Sequence, residues 1–93
     1  MLYARNNKWK AAAQNWKKYL SSPKSRVAGI AALNYAISQE MLGDPEQAAI
    51  WSEKSVILLK NGEPGKIARA YAAILYERKL KTERLNSLLK ANR

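Results

Sequence analysis

The 93 residues include 47% hydrophobic and 26% charged side chains, three prolines and four glycines, a composition that folds as one small domain rather than staying disordered. With neither cysteine nor histidine, the chain has no disulfide, no thiolate metal site and none of the commonest general bases and metal ligands. The formal net charge of +10 suits either a well-solvated surface or an anionic partner.

The acids give catalysis little to work with. Asp44 is the only aspartate, and Glu40, Glu46, Glu53, Glu63, Glu77 and Glu83 are scattered with no other catalytic residue type framing a pair. The chain is therefore read as non-enzymatic, with no cofactor and no metal site. Its opening, Met1 to Arg5, lacks the basic-then-apolar pattern of a signal peptide, and no apolar run approaches the roughly 20 residues that span a bilayer. Charge is uneven. Residues 1–39 hold seven bases and no acid, residues 40–63 are net negative, and residues 64–93 are net positive again.

Apolar spacing predicts five helices in one all-α domain. The first spans about Asn7 to Ser21, with Trp9, Ala12, Ala13, Trp16 and Leu20 on one face and Lys8, Lys10, Lys17 and Lys18 largely on the other. Ser22 and Pro23 then read as N-cap and first helical residue of the second helix. That helix reaches Leu42. It carries one stripe of Val27, Ile30, Asn34, Ile37 and Met41, and beside it a stripe of Ala28, Ala31, Ala32 and Tyr35 that suits close packing.

Gly43 fits the left-handed position after a helix. Asp44, Pro45 and Gln47 make a strong start signal: an N-cap, a first-turn proline and a capping-box partner. The third helix runs to about Lys60 on Ala48, Trp51, Ser55 and Leu58. After a turn at Glu63-Pro64-Gly65, a fourth covers about Lys66 to Lys79 on Ile67, Tyr71, Ile74 and Leu75. Thr82 is expected to cap a fifth, with a narrow stripe of Leu85, Leu88 and Leu89.

The chain also repeats itself. Ala13, Trp16 and Leu20 match Ala48, Trp51 and Ser55 at an offset of about 35 residues, and Leu2-Tyr3-Ala4-Arg5 matches Leu75-Tyr76-Glu77-Arg78 at about twice that spacing, the period of stacked helix pairs. Such pairs bury apolar surface by stacking on their neighbours. Trp16 and Trp51 are accordingly expected to pack between helices, while Trp9 is open between packing and exposure.

The run Ala32-Leu33-Asn34-Tyr35-Ala36, then Gly43-Asp44, then Glu46-Gln47-Ala48 and Lys54-Ser55, resembles a tetratricopeptide repeat (TPR). Ala36, Gly43 and Ala48 match that family's small residue, turn glycine and second-helix alanine. Ser55 and Pro45 depart from its pattern. The best-matching repeat covers residues 29–60, with partial repeats at 1–22 and 64–93. The chain more loosely resembles the C-terminal helical-repeat segment of bacterial lipoproteins of unknown function, which implies a fragment of a longer, exported and membrane-tethered protein. The compartment itself is not legible.

The TPR resemblance implies a TPR-like α-solenoid that scaffolds a peptide or protein partner along the groove of its first helices. The groove residues would be Ile30, Leu33, Asn34, Ile37, Glu40 and Met41, with Lys66 and Arg69 able to join Asn34 around a carboxylate. The competing reading is a basic helical module whose Lys8, Lys10, Lys17 and Lys18, or Arg78, Lys79, Lys81 and Arg84, meet nucleic-acid phosphates or an anionic surface. Apolar end helices would also suit a homodimer.

Overall fold

A computed structural model describes residues 2–91, with side chains from residue 7 onward. The described residues form four helices and no strand: α1 (Leu2–Lys17), α2 (Ser25–Met41), α3 (Pro45–Leu59) and α4 (Gly62–Ala91). Each packs on the next in chain order, the α2–α3 contact being the most extensive. The body measures 50 × 35 × 19 Å, and its thin dimension is that of two helix layers. Its radius of gyration, 15.1 Å, exceeds the roughly 12 Å of a compact chain of this length, chiefly because α4 is long.

The junctions follow the sequence chemistry. Gly43 takes φ +86; its N–H donates to the Glu40 carbonyl and that of Asp44 to Gln39, closing α2 in a Schellman motif. Asp44 then caps α3 by accepting from the Gln47 N–H at 3.1 Å. The capping box is only half made, because the Gln47 side chain accepts instead from Trp51 Nε1. At the start of α2 the expected Ser22 cap is displaced. Lys24 is the N-cap and makes no side-chain cap bond, while Ser22 Oγ accepts from the Lys24 N–H in the preceding turn. The segment after α1 holds the short-range bonds of a tightened turn, so α1 ends at Lys17.

The largest departure from expectation lies at α4. The anticipated break near Lys79–Thr82 does not occur, and the fourth and fifth helices are one. No glycine or proline interrupts residues 66–91, and the Thr82 hydroxyl donates back to the Arg78 carbonyl within the helix instead of capping a new one. The helix also starts early, at Gly62. Pro64 sits in its first turn, where the missing N–H would have had no partner. The α3–α4 link is correspondingly tight. Lys60 takes φ 50 and ψ −71, and the Asn61 N–H donates to the Leu59 carbonyl at 2.5 Å, which together make a strained γ-turn. The Arg69 guanidinium holds the Lys60 carbonyl at 2.5 Å.

The core consists largely of small residues. Ala28, Ala31, Ala32 and Ala36 of α2, Ala48 of α3 and Ala68 of α4 are buried, as are Ser38, Ser52 and Ser55. Each serine hydroxyl donates to a carbonyl of its own helix, so no described buried polar side-chain atom lacks a partner. Leu33, Leu59 and Ala68 form the main apolar cluster, with Ile30, Ile37, Val56 and Tyr71 against it. Gly29 marks the closest approach: a Cβ there would lie 2.6 Å from Leu59 Cγ and 3.1 Å from Leu58 Cβ.

Two stability predictions follow from these contacts. Gly29→Ala gains roughly 1 kcal/mol in helix propensity but loses about 1–3 kcal/mol to overpacking; the expected outcome is a lower thermal midpoint. In a Leu59→Ala background the same change should become neutral or stabilising, which a double-mutant cycle measures. Asp44→Ala should cost about 1 kcal/mol, a drop of about 4–8 °C in midpoint for a domain of this size.

Candidate functional site

With the small residues of α2 and Leu33 turned inward, the other large apolar side chains of α2 are left nearer the surface. Val27 and Met41 are exposed, and Ile30, Asn34 and Ile37 are half-buried. α4 behaves likewise. Gly65, Ala68 and Leu75 face the core, while Ile67 and Ile74 are exposed. At about 100° per residue, Ile67, Tyr71, Ile74 and Arg78 share one side of α4. Tyr71 and Arg78 both reach Glu40 of α2, the phenol donating to Oε1 at 3.1 Å and the guanidinium to Oε2 at 2.6 Å. That side therefore looks toward α2, and an apolar surface spans both helices with a polar pin across it.

The pin alters the chemistry of its phenol. Burial, then the negative field of Glu40 and its hydrogen bond, push the Tyr71 pKa well above the ordinary 10.0, with Arg78 opposing. Tyr71 thus stays a neutral donor in the folded protein. The Arg78–Glu40 pair is one of two ion pairs among the described residues; the other joins Lys66 to Glu63 at 3.5 Å.

The eight expected groove residues separate into two groups. Leu33 is buried in the α2–α3–α4 cluster, with Ile30 and Ile37 against it, and Glu40 anchors the pin. Asn34 Nδ2 donates to the Ile30 carbonyl within α2, and Met41 is 51% exposed toward α1. Lys66 and Arg69 lie elsewhere. They sit about 140–160° around α4 from Tyr71, and they bond Glu63 and the Lys60 carbonyl at the α3–α4 link. No hydrogen bond joins Asn34 to either cation.

Sequence reasoning did not single out Ile67, Ile74 and Arg78 as surface partners of α2. Their signal was the seven-residue spacing of Ile67 and Ile74 interleaved with Tyr71 and Arg78.

The tryptophans all lie half-buried. Trp51 packs edge-on against Tyr35 of α2 with ring centroids 5.5 Å apart, and Lys54 Nζ sits 4.2 Å over its ring. Trp16 meets Tyr19 of its own C-terminal turn. Trp9 lines an open notch of about 490 Å³ with Lys8, Ala12 and Met41. A second hollow of about 370 Å³ lies over the α3–α4 link, lined by Arg26, Leu58, Leu59 and Asn61 to Pro64. Among the described residues no acidic cluster of three could hold a metal ion, and no helix is long and apolar enough to cross a membrane. The repeat match at Leu2 to Arg5 concerns side chains outside the described set.

Residues 1–82 match the family described as Domain of unknown function (DUF6340). The chain belongs to that family. No curated protein and no solved structure matches it, so the surface chemistry of this DUF6340 chain itself carries the functional argument.

Below about pH 10, where the phenol is neutral in the folded and unfolded chains alike, the Tyr71–Glu40 bond should contribute its full stability, on the order of 1 kcal/mol. Because the folded-state pKa is raised, that contribution falls as pH climbs above the unfolded value. Urea midpoints of Tyr71→Phe and the parent chain should therefore differ at neutral pH and converge in strong alkali.

Proposed function

We propose that the chain is a non-catalytic protein-interaction module, a TPR-like stack of helix pairs that takes a peptide or protein segment along the groove between α2 and α4. α1 serves as the second helix of one pair, α2 and α3 as a complete pair, and α4 as the first helix of the next. The observation that carries the reading is the exposed apolar surface shared by two helices: Met41, Val27, Ile67 and Ile74 are each more than a third exposed, while the half-buried Ile30 and Ile37 fill the floor between them. Monomeric proteins leave single apolar residues outside freely, but a contiguous set on two neighbouring helices marks a contact site. Sequential packing of each helix on its neighbour and the absence of histidine and cysteine favour binding over chemistry.

Peptides selected from a random display library on the full chain test the reading. Met41→Glu and Ile74→Glu should each weaken the selected peptides by about tenfold or more, the effect of losing roughly 1.4 kcal/mol. Ile57→Glu, on the exposed side of α3, should leave binding unchanged. Circular dichroism of each variant should match the parent. A library that yields no binder, or binders weakened equally by Ile57→Glu, would remove the groove from consideration.

A further inference from the structure

At its α1 end the groove meets the notch formed by Lys8, Trp9, Ala12 and Met41. Three of these four contribute apolar surface, and the fourth places an ammonium at the rim. The surroundings are strongly one-signed. Residues 1–39 contain no acid, and Lys8, Lys10, Lys17, Lys18, Lys24 and Arg26 are all exposed with no ion pair to any described residue. Across the groove Arg78 gives Glu40 one short bond and, two-thirds exposed, keeps guanidinium donors free for another acceptor.

We infer that the partner is an acidic peptide segment bearing a bulky apolar side chain, which enters the notch between Trp9 and Met41 while neighbouring carboxylates meet Lys8 and Arg78. This rests on the groove reading and specifies its ligand. An apolar anchor removes the notch wall from water, and carboxylates answer a field that no acid within residues 1–39 neutralises. Nucleic acid fits the same charge but not the same shape. A single strand calls for exposed aromatic faces on which bases stack; Tyr19 and Tyr76 are exposed, but at the notch the aromatic is Trp9, half-buried in its wall with the flexible Met41 opposite.

The display selection supplies the probe, with a short single-stranded DNA and phosphatidylserine vesicles as parallel probes of the full chain. Selected peptides should be enriched in Glu or Asp next to Leu, Ile, Phe or Trp. A synthetic binder should weaken about tenfold with Lys8→Glu, and again when its acids become amides, while Lys54→Glu on α3 has no effect. Neutral or basic binders that respond to Ile74→Glu but not to Lys8→Glu would overturn the inference and leave the groove standing. A failure to select any peptide would overturn both. DNA or vesicle binding that is tighter than peptide binding, steeply salt-dependent and indifferent to Met41→Glu would assign the basic surface to a polyanion and overturn the inference as well.

Discussion

The architecture depends on how closely α2 can approach its neighbours. Four alanines and a glycine place almost nothing beyond Cβ between its backbone and theirs, and the gap at Gly29 is too small even for a methyl group. Close approach raises the density of backbone dispersion contacts, which partly replaces the apolar area that larger side chains would have buried. It also explains why the largest fully buried side chains are serines. At this spacing a hydroxyl bonded to its own helix fits where an isoleucine does not.

The same constraint shapes the surface. In an ordinary amphipathic helix the bulkiest apolar residues form the core stripe. In α2 and α4 small residues hold most of that place beside Leu33 and Leu75, and Met41, Ile67 and Ile74 are displaced to the outside. The interface between the two helices is then fixed by a polar device, the carboxylate of Glu40 shared by a phenol and a guanidinium. A hydrogen bond has direction where apolar contact does not, so the pin constrains how α4 lies against α2.

Much of the fold was legible in the residues themselves. The Gly43-Asp44-Pro45 junction was readable because each residue has one well-defined physical use there, and the Ala stripe of α2 announced close packing. The α3–α4 link and the single long α4 were not. Thr82 has equal reason to cap a helix or to bond within one, and only the chain around it decides. A proline three residues into a helix looks the same in sequence as a proline that ends a turn. The buried face of α4 was also misjudged, because hydrophobicity favours Ile67 and Ile74 whereas packing at short range selects Gly65 and Ala68. A surface shared by α2 and the following helix was expected, but the residues named on that helix were Lys66 and Arg69 rather than Ile67 and Ile74. Lys66 and Arg69 were assigned by position in the chain, while the angle around the helix directs them to the link.

The unbroken α4 has a thermodynamic consequence. Beyond Arg78 every residue through Ala91 is exposed, a stretch of about 20 Å of helix with no described hydrogen bond or ion pair to another helix. A free helix of that length is marginal in water, so its order propagates from the anchored half as an extension costing no new nucleation. Ellipticity will thus count a region that contributes almost nothing to cooperativity: it frays from the tip inward while tryptophan fluorescence still reports an intact body, and the two signals trace different curves on heating.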